Sequence, residues 1–290
     1  MSAIDPVGEH SAAVKRLSRD LVEAGKTMSD EEARFLVDSY YTMQDDRKRA
    51  HSQARHMEDE PHAVIGWLAE QGTTLEGQIK RALDSYTDAK PVGVWLKANF
   101  GIGPVIAAGL LAHIDITRCP TVGHIWRFAG LDPTVRWEKK TKRPWNANLK
   151  TLCWKTGQVF MKFSGSEECR YGQVYRQRKA YEVARNENGG NAEAAARILT
   201  EKKFREDTDA IKHLKAGRLP PAQIDGRARR YAVKLFLSHL HLVWHFIEFG
   251  KLPPKPYALG HMDHTHFEPP QHLDLVKGLP AAMRKARLVN

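Results

Sequence analysis

An all-α fold is what this chain predicts, and three stretches predict it. Residues 1–90 repeat apolar positions at helical spacing behind recognisable start signals. Residues 100–112 read Phe-Gly-Ile-Gly-Pro-Val-Ile-Ala-Ala-Gly-Leu-Leu-Ala, a glycine turn running into an Ala-rich helix. From Asp225 a helix opens with Arg227, Arg229, Arg230 and Lys234, then turns apolar almost all round through Ile247, the pattern of a buried helix.

In chain order, Ser11 to Ala24 carries Val14, Leu17, Leu21 and Val22 on one amphipathic face. Ser29-Asp30-Glu31-Glu32 is a capping box, with Ser at the N-cap and Glu three residues on. It opens a long helix through Phe35, Leu36, Tyr40 and Met43 that becomes strongly polar from Gln44 to Glu60. After Pro61 a second helix carries Leu68, Leu75, Ile79, Leu83 and Tyr86, with Gly72 as a weak point. Two such helices pack as an antiparallel pair and suit an oligomerisation arm, so residues 1–90 are expected to form a helical hairpin through which the chain forms a homodimer.

Val94–Asn99 reads as a short helix entering the glycine turn. Gly101 and Gly103 open backbone angles closed to other residues, and Pro104 suits the first helical position. Helix, Gly-x-Gly turn and helix make a helix-hairpin-helix pattern. Its turn amides, at Gly101, Ile102 and Gly103, and the positive end of the second helix suit a phosphate oxygen. An αα-hairpin closed by the same turn without a ligand fits equally well.

Thr121–Pro133 predicts a short helix stopped by Gly130 in the C-terminal capping role. In residues 136–155 seven Lys and Arg face one acid, Glu138, with Trp137, Trp145 and Trp154 interleaved. Cations attract phosphates and aromatic faces stack on exposed bases, so Lys139, Lys140, Lys142, Arg143 and Trp145 are candidate nucleic-acid contacts, joined by Arg227 and Arg230. Trp154 is assigned to the core. Residues 166–222 predict charged helices over Tyr171–Arg185 and Ala192–Leu214, broken at Asn188-Gly189-Gly190 and Pro220-Pro221. The tail, residues 251–290, is Pro- and His-containing and expected to be irregular.

The balance of charge sharpens this division. The chain of 290 residues has net charge +11, yet residues 1–90 hold 12 Lys and Arg against 17 Asp and Glu, and residues 91–290 hold 33 against 17. A basic C-terminal two-thirds points to a polyanionic partner. Leu235–Phe249 is too short and too His-rich to span a membrane. The N-terminus shows neither a basic n-region nor an apolar h-region. Cys119, Cys153 and Cys169 form no CxxC pair, and a reducing cytoplasmic setting is expected.

The order of the pieces carries a resemblance. Gly101-Ile102-Gly103-Pro104 with its Ala-rich helix, then Phe128-Ala129-Gly130-Leu131-Asp132-Pro133, then a basic segment entering Asn148-Leu149-Lys150-Thr151-Leu152, resembles the C-terminal domain of the insertion-sequence transposases that pair a RuvC-like DEDD domain with a serine-bearing domain and are guided by a bridge RNA. Tyr171–Arg176 and Ala228–Leu235 are similar to the helices that close that domain, here separated by a charged helical insertion near residues 185–222. The resemblance implies a nucleic-acid-binding domain over residues 91–250. Residues 1–90 are too short and too helical to build a RuvC-like sheet. The place of the family's serine reads Thr134-Val135-Arg136-Trp137. The implied protein is a standalone phage or mobile-element relative that binds DNA, or structured RNA, without catalytic residues or cofactor.

Two other readings compete. One is a metal-dependent or transposase-like enzyme: His241 and His245 share a helix face at zinc-ligand spacing, and His264 and His266 supply further donors, although the glutamate of an HExxH site is absent. The other is a structural helical protein that docks partners through its acidic N-terminal helices.

Overall fold

The start and stop signals legible in the sequence close helices at the places they mark. A computed structural model describes residues 17–56, 63–202, 204, 208–254 and 267–288. Among these the chain is 72% helical, with twelve α-helices and no strand. It divides into two units: one takes the described residues up to Lys97 with Gly103–Asp115, the other Ala98–Ile102 with the residues from Ile116 onward.

The first unit holds α1 (Arg19–Ala24), α2 (Asp30–His56), α3 (Ala63–Asp88), α4 (Pro91–Ala98) and α5 (Pro104–His113). The capping box forms: Ser29 N–H donates to Glu32 Oε2 at 2.7 Å and Glu32 N–H to Ser29 Oγ at 3.2 Å. Tyr86, near the end of α3, donates to Asp30 at the start of α2 at 2.6 Å, while Arg47 pairs with Glu76 midway along. Those contacts make α2 and α3 antiparallel. Gly72 does not break α3. Helix α5 packs on both, and because every residue from Val105 to Ala112 is apolar or Gly it can be buried on all sides. The Arg34 guanidinium donates to Ala112 O, one of the carbonyls that the end of α5 leaves without a helical partner. The stretch 1–16, including the first six residues of the helix expected over Ser11–Ala24, lies outside the described residues.

The second unit holds α6 (Val122–Phe128), α7 (Ala147–Lys162), α8 (Arg170–Glu187), α9 (Ala192–Glu201), α10 (Asp209–Lys215), α11 (Pro221–Phe249) and α12 (Leu279–Lys285). Helix α11 is its axis, packed by α6, α7 and α8. It begins at Pro221 rather than near Asp225, because proline suits the first helical turn. Phe160 of α7, Tyr171 of α8 and Phe236 of α11 form an aromatic triangle with centroid separations of 5.1–5.5 Å, all fully buried. Ala195, Leu214, Leu219 and Ile224 make a smaller cluster under α9 and α10. The helix expected over Ala192–Leu214 is two helices, with extended backbone at Lys202 and Thr208. The tail expected to be irregular carries α12, whose Leu279 and Met283 are buried.

Among the described residues no helix is long and apolar enough to cross a membrane.

Candidate nucleic-acid interface

The glycine turn is built for packing within the second unit. Gly101 has φ +89°, and a Cβ there would stand 2.7 Å from Val159 Cγ1 of α7. Phe100 packs edge-on against Phe163 at 5.4 Å, and the Cys169 thiol donates to Phe100 O at 3.8 Å. Ile102 is buried, and its N–H donates to Asn99 O at 3.0 Å. The Ile102 amide therefore closes the turn. Gly103 is the N-cap of α5, with extended backbone and open space where a side chain would project.

Downstream, Gly130 ends α6 in the left-handed conformation, φ +64°, and Leu131 N–H reaches back to Trp126 O at 2.8 Å. The indole of Trp145 packs against Gly130 so closely that a Cβ would lie 2.9 Å from its Cγ. Asn146 N–H then donates to Phe128 O, and the Asn146 side chain caps α7 by accepting from Leu149 N–H, both at 2.9 Å. The basic loop is thus pinned at its end. Within it Trp137 donates its indole N–H to Thr141 O at 2.9 Å, and Lys140 occupies a positive φ of 72°. Lys139, Lys140, Lys142 and Arg143 are all exposed.

Arg143 of the loop, Lys150 of α7 and Arg230 of α11 lie close enough to feel one another's charge. Lys150 Nζ lies 3.9 Å from the Trp145 ring centroid. Desolvation, followed by the charges of Arg143 and Arg230, holds Lys150 below the ordinary lysine value. Arg230 is lowered too, by desolvation and then by Arg227 and Arg229. Arg143 stands 5.3 Å over the Trp137 ring. Lys139, Lys140, Lys142, Arg143, Lys150 and Arg230 have no carboxylate partner among the described residues.

Arg227 differs. Its guanidinium donates to Asn191 Oδ1 at 2.7 Å and reaches the buried Glu182 at 3.5 Å, so its charge is largely spent inside the fold. Arg229 pairs with Asp225 at 2.7 Å.

The tryptophans exchange their expected places. Trp145 is half-buried beneath Lys150, whereas Trp154 is 59% exposed. The reason is register: the cap at Asn146 sets Leu149, Leu152, Cys153, Thr156 and Phe160 inward, and Trp154 falls outside that arc. The spacing of those apolar residues carries this register in the sequence itself. Lys234, one of the basic residues at the start of α11, holds its ammonium 4.0 Å from the Trp126 ring while that indole N–H donates to Lys234 O at 3.2 Å.

Thr134 gives both its N–H and its hydroxyl to Asp132 Oδ1, at 2.9 and 2.7 Å. These bonds hold the Asp132 carboxyl below its ordinary value, with Lys234 and Arg127 adding to the effect. The pair forms a local turn.

The histidines of α11 are buried and bonded to carbonyls. His239 donates Nε2–H to Glu268 O and accepts at Nδ1 from the Tyr171 hydroxyl, both at 2.8 Å. His241 donates Nε2–H to Cys119 O at 2.8 Å, and His245 donates Nδ1–H to Lys251 O at 3.0 Å. Burial drives the first two down, to about 3 and about 4. His264 and His266 lie outside the described residues. Among the described residues no three His, Cys, Asp or Glu are grouped to hold a metal.

Residues 95–166 match the family described as Transposase IS116/IS110/IS902. No curated protein matches the chain, and no solved structure does. The matched segment runs from the end of α4 through α7 and includes the whole basic loop. This part of the chain is similar to that transposase family.

Proposed function

We propose that the chain is a mobile-element nucleic-acid-binding protein that holds the phosphate backbone, chiefly of DNA, on the second unit's cationic surface without performing chemistry on it. The carrying observation is the set of six exposed cations lacking carboxylate partners among the described residues: Lys139, Lys140, Lys142, Arg143, Lys150 and Arg230. Uncompensated, clustered positive charge releases counterions when it meets a polyanion, which favours binding without base reading. Arg227 and Arg229 show the alternative fate, internal neutralisation, so the exposure of the others is selective. Arg227 accordingly supports the surface from beneath rather than touching the ligand. The similarity to a transposase family supports DNA as the polymer.

Anisotropy of a labelled DNA duplex tests this. R143E/K150E/R230E should bind at least about tenfold more weakly than the parent, since each lost phosphate contact also lowers the salt dependence. Unchanged affinity would overturn the assignment.

A second reading rests on the first unit, where Phe35 is 71% exposed and Leu68 56% exposed. We take those side chains as the contact of a homodimer. Light scattering on the full chain, with F35E/L68E as the dissociating variant, reads it directly.

A further inference from the structure

The cationic surface carries aromatic rings that a duplex would not use. Trp154 is the most exposed tryptophan of the described residues, and its indole N–H makes no hydrogen bond among them. It lies one helical turn after Lys150 on α7, a spacing that makes the two side chains neighbours on one face. Three residues further, Gly157 packs against α11: a Cβ there would meet Val233 Cγ2 at 3.3 Å and Arg229 Cβ at 3.5 Å. The α7 face bearing Trp154 therefore borders the α11 turn that carries Arg230. Trp137 is 40% exposed, its indole fixed by the bond to Thr141 O. Trp126 and Trp145 have ammonium groups over their rings at 4.0 and 3.9 Å. Trp137 has the Arg143 guanidinium 5.3 Å over its ring, so a base can reach Trp137 only on the opposite face, whereas Trp154 carries no cation among the described residues.

We propose that the polymer held here is single-stranded DNA, its bases stacking on Trp154 and Trp137 while its phosphates lie along Lys150, Arg143 and Arg230. This rests on the nucleic-acid reading above and narrows it. Duplex DNA keeps its bases stacked on one another and offers a flat surface tryptophan only sugar and phosphate. An unpaired strand offers base faces, and a base stacked on an aromatic ring is worth about 1–3 kcal/mol whatever its identity. Exposed indoles among uncompensated cations suit the second ligand; DNA is taken as the polymer because the matched family is described as transposases, and the oligo(U) arm of the test below separates it from RNA.

The test uses the full chain, labelled oligo(dT), oligo(U) of equal length and a duplex of equal length, each followed by anisotropy. Trp154→Ala should weaken oligo(dT) binding by about tenfold or more, leave duplex binding within about twofold, and be largely rescued by Trp154→Phe. Circular dichroism confirms that the exposed substitution leaves the helices intact. Equal losses on both DNAs, or none on either, overturn the proposal. Tighter binding of oligo(U) than oligo(dT) also overturns it. If K150A/R230A weakens every ligand while W154A weakens none, the nucleic-acid reading stands and stacking falls. If the unsubstituted chain binds none of the three, both fall together.

Discussion

Replacing Gly101 by alanine separates a packing turn from a ligand-holding one. At φ +89° an L-residue pays about 1–2 kcal/mol in backbone strain. The added methyl would also stand 2.7 Å from Val159 Cγ1, and overpacking of that kind costs about 1–3 kcal/mol. The sum is a destabilisation of about 2–5 kcal/mol, with some relief where Val159 can change rotamer. Gly103→Ala is the internal control. Its φ is −89°, nothing stands within 4 Å of the new methyl, and the entropy removed from the unfolded chain offsets the weaker N-cap, so the net change is about zero. Urea denaturation followed by tryptophan fluorescence reads both. A Gly101→Ala midpoint indistinguishable from that of Gly103→Ala would refute the packing account of the turn.

Other expectations follow from the same contacts. Six phosphate contacts on a single strand give a slope of log K against log salt near −4, and R143A/K150A/R230A should halve it; titrations at several salt concentrations decide, and an unchanged slope removes those three residues from the interface. His239 and His241 are neutral in the fold with values lowered to about 3 and about 4, so the unfolded chain takes up protons first. Their stabilising effect is complete above the ordinary histidine value near 6.5 and is lost as pH falls from there towards about 3 for His239 and about 4 for His241, by up to about 1.4 kcal/mol per pH unit for each. Urea midpoints measured from pH 7 to 5 should decline, less steeply in His241→Asn, and a flat profile would contradict the burial. Asn186→Ala strips partners from Leu219 N–H, Leu219 O and Asn191 Nδ2, all buried, and should cost about 3 kcal/mol in the same assay.

Local chemistry was legible wherever it decided the outcome. The Ser29–Glu32 box, the stop at Gly130 and the all-round apolar character of α5 each translate directly into observed geometry. Tertiary chemistry was not. Arg227 reads as a free cation because Glu182 lies 45 residues away in sequence, and only the packing of α8 on α11 brings them together. Trp145 reads as the stacking residue because its burial comes from Gly130, where the missing side chain makes room for an indole. The Ile102 amide reads as available until the turn closes on Asn99. In each case the deciding partner is remote or is an absence of atoms, and neither leaves a periodic trace.

Helix α11 is unbroken from Pro221 to Phe249, about 43 Å of hydrogen-bonded rod, with Arg230 near its beginning and the aromatic triangle and buried imidazoles further along. A pull on the guanidinium end is therefore carried into the interior instead of being absorbed by a hinge. Occupancy of the cationic face should slow amide exchange at Phe236 and His239 as well as at Arg230, so that one helix reports at its protected end what is held at its exposed one.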